Sequence, residues 1–175
     1  MKKTKFTTLI LDVDGVMTDG KFYYTEDGKI MKVFGADDND ALSMLKNFME
    51  IVFVTGDRKG FKISKKRIVG DMKFKLYLVS TLDRVKWIEK KYNLKSVIYI
   101  GDGIFDSLVM DKVGYSICPS NSDKQCIKSA NFITKRAGGD RAVAEAVLHI
   151  FKQILKIHKP LKYLKKNSTI GEWTI

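Results

Sequence analysis

Leu9-Ile10-Leu11 runs directly into Asp12-Val13-Asp14-Gly15, and no other stretch restricts the possible folds of this chain as strongly. An unbroken apolar run, without polar alternation, is the pattern of a strand covered on both faces, as in a parallel sheet. Acidic residues immediately after such a strand lie at its carboxyl end, the edge where open α/β sheets place their ligands. Side chains two residues apart on extended backbone point the same way, so Asp12 and Asp14 converge on one small volume. Two carboxylates at that separation repel, and the arrangement calls for a cation, a shared proton or both.

The rest of the chain alternates strand-like and helix-like segments. Strands are predicted at 7–11, 51–55, 75–79, 97–101 and 114–118, with a weaker one at 131–134. Helices are predicted at 38–48, 59–69, 82–92, 104–112, 122–128 and 140–156. This order predicts an α/β fold, a Rossmann-like doubly wound and mainly parallel sheet. One segment departs from the alternation. Residues 21–34 read as a β-hairpin turning at Asp27-Gly28, a flap beside Asp12 and Asp14. The expected organisation is one domain over residues 1–158 without a separate cap domain, then a tail at 159–175 that contains Trp173.

A chain of 175 residues is long enough for one domain with a full core. No stretch approaches the ~20 consecutive apolar residues of a membrane span, and the acids at 12 and 14 interrupt any secretory apolar region. Cys118 and Cys126 have no metal-ligand spacing and read as buried thiols of a reducing cytoplasm. The net charge of +12 comes from 32 Lys and Arg against 20 Asp and Glu. Mixed with apolar residues at helical spacing, the excess reads first as solvated helix faces. An anionic small molecule comes second and nucleic acid third.

Three strand ends carry polar residues of matching kind. Asp12 and Asp14 follow the first, Thr55-Gly56-Asp57-Arg58 the second, and Gly101-Asp102-Gly103-Ile104-Phe105-Asp106 the third. A Thr hydroxyl and the following amide suit a phosphate oxygen. Asp102 between glycines can approach a cation held by Asp12, and Asp106 one helical turn later can fix its waters or a neighbouring ligand. Thr55-Gly56 alone reads more simply as a turn, and Gly101–Asp106 alone as a helix cap. Their recurrence after three strands is what gives them weight.

Asp12-Val13-Asp14-Gly15-Val16-Met17-Thr18 resembles the first motif of the haloacid dehalogenase superfamily, Thr55-Gly56 the second, and Gly101–Asp106 the fourth. Asp14 to Gly20, the early hairpin and Ala137-Gly138-Gly139 further resemble the cap-less branch of 3-deoxy-D-manno-octulosonate 8-phosphate phosphatases. The resemblance implies a phosphatase acting on a small sugar phosphate. Asp12 would be the nucleophile and Asp14 the general acid and base. Mg²⁺ would be bound by Asp12, the Asp14 backbone carbonyl and Asp102, with Thr55 and Gly56 on the phosphate. It also implies a homotetramer, closed around each site by a neighbouring subunit.

Two departures qualify this reading. The lysine of the third motif is missing from Ser80–Lys86; Arg84, nearest the helix start, is the favoured substitute and Lys86 the other candidate. Gly35-Ala36-Asp37-Asp38-Asn39-Asp40 is acidic where the branch has an arginine suited to a sugar carboxylate. Those acids either cap the next helix or face hydroxyl or amino groups of the substrate. The rival readings are a catalytically weak binding protein of the same fold and a phosphotransferase.

Overall fold

A computed structural model describes residues 4–163. Its strands are β1 (Thr8–Asp12), β2 (Tyr23–Thr25), β3 (Gly28–Met31), β4 (Glu50–Thr55), β5 (Lys75–Leu78), β6 (Val97–Ile100), β7 (Tyr115–Cys118) and β8 (Phe132–Ile133). Its helices are α1 (Asp37–Leu45), α2 (Phe61–Lys65), α3 (Arg84–Lys91), α4 (Asp106–Met110), α5 (Lys124–Ser129) and α6 (Ala142–His149). β2 and β3 form the separate antiparallel hairpin, and the other strands make one sheet in the order β5-β4-β1-β6-β7-β8. Every neighbouring pair in that sheet is parallel. The chain winds outward from β1 through β4 and β5, then crosses back to β6 on the other side. β1 therefore borders a topological switch point, where such sheets bind ligands.

The continuous apolar runs follow from helices on both faces. Leu9, Leu11, Ile51, Phe53, Ile98 and Ile100 join one buried cluster with α1 and α6 residues such as Leu42, Leu45, Val143 and Val147. The residues between them, Ile10, Val52, Val54, Val97 and Tyr99, join the opposite cluster with Ile88 of α3 and Val109 of α4. Period-two alternation persists, but it alternates between two cores. In this register Asp12 shares the α3–α4 face with Tyr99, and that fixes which helices can reach it.

Helix ends depart from the predicted spans. The expected 59–69 helix is α-helical only over Phe61–Lys65 and continues as a π-helix over Lys66–Asp71. The last helix likewise passes into a π-helix at Ile150–Ile154. In the hairpin, Thr25 pairs with Gly28, so the tip is Glu26-Asp27 and Gly28 follows it at φ +116°. Pro160–Tyr163, at the start of the expected tail, form a 3-10 turn whose Tyr163 ring lies 6.0 Å from Phe48. Trp173 lies outside the described residues.

The acidic run at 37–40 is turned toward α6. Arg141, just before α6, has φ 65° and makes no side-chain cap, so the helix start lacks a local acceptor. Asp38 supplies one across 106 residues, its Oδ1 accepting the Ala144 N–H at 2.8 Å. Asp37 meanwhile pairs with Arg141. Asp38 is fully buried, and burial pushes its carboxyl up to about 6 despite the Ala144 N–H. An acid raised on folding contributes stability below its unfolded value of 3.8, and this is lost as pH rises through about 6. Urea denaturation of wild type and Asp38→Asn should therefore diverge between pH 4 and 7 by ~3 kcal/mol in the variant's favour. A pH-independent difference would show that the Asp38 charge carries no folding cost.

Candidate active site

Parallel pairing brings the three strand ends together. Asp12 lies beside Val54, the residue before Thr55, and Leu11 lies beside Ile100, two residues before Asp102. After Asp12 the chain folds tightly on itself. The Met17 and Thr18 amides donate to the Val13 carbonyl at 2.9 and 3.2 Å. The buried Thr18 Oγ1 accepts the N–H groups of Gly15 and Gly20, each at 3.2 Å. Gly15 has φ +81°, and a Cβ there would lie 1.9 Å from Asp102 Oδ2. Only glycine lets the first and fourth motifs approach this closely. Gly138 braces the loop from behind, where a Cβ would lie 1.8 Å from the Gly15 carbonyl oxygen.

Arg84, the first residue of α3, enters this volume with 1% of its surface exposed. Its Nη1 donates to Asp12 Oδ2 at 2.7 Å, and its Nη2 donates to Asp12 Oδ1 at 3.2 Å. Nη1 also donates to Tyr99 Oη at 2.8 Å and to Asp106 Oδ1 at 2.5 Å. Burial disfavours the cation, but Asp12, Tyr99 and Asp106 together raise it well above the usual arginine range. Lys86, the other candidate for the missing cation, is exposed.

The acids divide into engaged and open groups. Asp106 Oδ2 accepts the amides of Asp102 and Gly103 at 3.2 and 3.0 Å, and its Oδ1 also accepts the Tyr99 hydroxyl. The Asp102 carboxylate accepts no hydrogen bond and joins no ion pair among the described residues. Burial, reinforced by the charges of Asp12 and Asp106, pushes Asp102 up to about 8. Burial also pushes Asp12 up to about 7, against the pull of Arg84. Carboxylate oxygens of Asp12, Asp102 and Asp106 all lie within 4.8 Å of one another. Hard oxygen donors crowded around an otherwise uncompensated carboxylate fit a divalent cation such as Mg²⁺. The side-chain set brought together includes Asp106, while Asp14 turns its carboxylate away.

Asp14 points toward β4 and the hairpin. The buried Thr55 hydroxyl donates to Asp14 Oδ2 at 3.3 Å, and Asp14 Oδ1 lies 2.6 Å from Lys32 Nζ. Lys32 follows β3 and also reaches Asp57 at 2.8 Å and Ser64 Oγ at 2.9 Å. Lys29 pairs with Asp57 at 2.6 Å and stands 3.3 Å from the centroid of the Phe22 ring, a cation–π contact. Burial alone would raise Asp57, but hydrogen bonds from Lys29, Lys32 and the Gly60 amide outweigh it and hold the carboxyl at about 2.

Two cavities open around these groups. One, of about 300 Å³, is lined by Asp12, Asp14, Gly56, Asp57, Ser80, Thr81 and Arg84. The other, of about 250 Å³, shares Asp12, Asp14 and Thr81 and adds Phe22, Asp102, Phe105 and Asp106 among its walls. A larger one of about 1160 Å³ between α1, α6 and residues 158–162 holds none of the strand-end acids. Sequence reasoning missed Lys32 and Tyr99, and gave Thr18 no role beyond its place in the first motif. Tyr99 reads as one more apolar position of β6, and no spacing rule distinguishes Lys32 among the hairpin lysines.

The haloacid dehalogenase-like hydrolase family matches the chain over residues 82–147. The 3-deoxy-D-manno-octulosonate 8-phosphate phosphatase of Escherichia coli (strain K12) is 32% identical over 149 residues, which span 82% of this chain and 78% of that protein. Among solved structures, the corresponding phosphatase from Moraxella catarrhalis, in complex with magnesium ion, phosphate ion and KDO, shares the fold at a TM-score of 0.76. It has 23% identity, over 93% of this chain and 95% of that one. The Yersinia pestis phosphatase matches at a TM-score of 0.74 and 26% identity, over 91% and 86% of the two chains. The likeness to the Escherichia coli protein extends over most of both sequences, so this chain belongs to the haloacid dehalogenase-like hydrolases, in the branch of the 3-deoxy-D-manno-octulosonate 8-phosphate phosphatases.

Proposed function

We propose that this phosphoric monoester hydrolase acts on 3-deoxy-D-manno-octulosonate 8-phosphate, or a related nonulosonate or sugar phosphate, through an aspartyl-phosphate on Asp12. The observation that carries the reading is the buried Asp12 carboxylate at the end of β1, gripped through both oxygens by Arg84 at the mouth of a cavity that Gly56 and Thr81 also line. The relatives named above act on this substrate class, and that supports its transfer to this chain.

In this mechanism an Asp12 oxygen attacks phosphorus and the bond from phosphorus to the sugar oxygen breaks. Asp14 delivers its proton to that leaving oxygen. Water then attacks the phosphoryl group, Asp14 takes a proton from it, and Asp12 returns to a free carboxylate as phosphate departs. The Thr55 hydroxyl and Gly56 amide hold a non-bridging oxygen, while Arg84 balances charge at Asp12. Asp12, the Asp14 backbone carbonyl and Asp102 would hold Mg²⁺, with Asp106 orienting the Asp102 loop and Arg84. When bound, the ion supplies neutralising charge to the transferring phosphoryl group. The 250 Å³ cavity beside Phe22 suits the sugar. Asp37 and Asp38 are committed to α6, which weighs against their facing the substrate.

The hairpin exposes Tyr23, Tyr24, Ile30, Met31 and Val33, and covering them with neighbouring copies supports a homotetramer. No helix among the described residues is long and apolar enough to cross a membrane. This accords with a cytoplasmic enzyme.

A phosphate-release assay over a panel of sugar phosphates tests the reading directly. Activity is expected with Mg²⁺ and not after chelation, with recovery when the ion is returned. Asp12→Asn should keep its melting temperature within a few degrees yet lose at least ~10⁴-fold in turnover. Substantial residual turnover in that variant would eliminate the covalent step. Arg84→Lys preserves charge but not the two-nitrogen grip, and should lower kcat by ~10–100-fold. Arg84→Ala strands two buried carboxylates and should cost ~3–5 kcal/mol of stability, read by urea denaturation.

A further inference from the structure

We propose that Lys32 is a positioning residue that aims the Asp14 carboxyl, so that correct seating of the hairpin and readiness of the proton-transfer group are one event. The inference rests on Asp14 being the acid and base of the proposed reaction. The Lys32 side chain has 0% exposure. Its ammonium faces three oxygens: Ser64 Oγ accepts a hydrogen bond at 2.9 Å, and Asp14 Oδ1 at 2.6 Å and Asp57 Oδ2 at 2.8 Å stand in ion-pair contact. Its contacts serve to fix other groups. With Oδ1 held against Lys32, the other oxygen, Oδ2, accepts the Thr55 hydroxyl at 3.3 Å, so the carboxyl is oriented through both oxygens. The lysine comes from the chain just after β3, and Lys29 within β3 anchors the same hairpin to Asp57. Two buried cations thus face two carboxylates, and the hairpin detaches only by breaking the contact that orients Asp14.

The leaving group separates positioning of Asp14 from a structural role. A sugar phosphate needs its leaving alkoxide protonated, whereas para-nitrophenyl phosphate releases a stable phenolate without help. The experiment compares kcat/KM on both esters for wild type, Asp14→Asn and Lys32→Gln, with melting temperatures alongside. Asp14→Asn should lose ~10²–10⁴-fold on the sugar phosphate and far less on the aryl ester. Lys32→Gln should show the same selectivity at smaller size, about 10–100-fold against less than about threefold, because a misdirected acid still transfers protons occasionally. Equal losses on both esters, or no loss on the sugar phosphate, would overturn the proposal. The double variant Lys32→Gln/Asp57→Asn keeps the local charge balanced and should show the same selectivity if the single variant does not fold. Failure of both to fold would assign Lys32 to stability alone and also overturn it. Selective loss in Asp14→Asn without selective loss in Lys32→Gln refutes the positioning role while leaving the hydrolase reading intact. A wild type that releases phosphate from neither ester refutes that reading instead.

Discussion

A carboxylate at the end of a strand covered on both faces has lost most of its hydration, and Asp12 is held there because Arg84 reaches both of its oxygens. The same guanidinium engages Asp106 and Tyr99, so β1, β6, α3 and α4 meet around one buried cation. Desolvating such a group costs several kcal/mol, recovered only through close geometry and fully engaged donors. Arg84 meets most of that requirement with a forked, planar group; a lysine would present a single point charge. The Tyr99 hydroxyl supplies a further oxygen that a guanidinium can use and a single ammonium would reach less well.

The rest of the site follows from the sheet. Parallel strands in register deliver their carboxyl ends to one edge, so Asp12, Thr55 and Asp102 need no long loops to converge. Tightness comes from Gly15, where a side chain would collide with Asp102, and from Gly138 behind it. Asp38 does comparable work at a distance. By capping α6 from the start of α1 it fixes the helix that follows the Gly138–Gly139 brace.

Much of this was legible in the chain. Leu9 to Leu11 announced a strand covered on both faces, and Asp12, Thr55 and Asp102 each follow such a run, so strand periodicity alone carried them to one edge. Arg84 was legible as a cation near a helix start, because only the first turn of α3 points back at the strand ends. Lys32 was not, since β3 ends at Met31 and alternation says nothing about the next residue. Asp38 was not, because its partner lies 106 residues away. The π-helical ends of α2 and α6 escaped for a similar reason. Packing against the sheet sets them, and propensity does not separate π from α geometry.

Local charge shows why the overall basicity of the chain says little about its site. Five carboxylates, those of Asp12, Asp14, Asp57, Asp102 and Asp106, gather around the two cavities, and the cations among them are Lys29, Lys32 and Arg84. With all five ionised the surplus is two negative charges, the charge of one divalent ion; burial and mutual repulsion raise Asp102 to about 8 and Asp12 to about 7 and so lessen that surplus when no cation offsets it. A phosphate ester drawn by the positive surface would meet a repulsive field at the last few ångströms unless that surplus were offset. Two of the three neutralising side chains come from the hairpin and its flank, so the flap contributes charge as well as cover. A hairpin lifted from the body would take Lys29 and Lys32 with it and leave the acids more repulsive to the anion they are arranged to cleave.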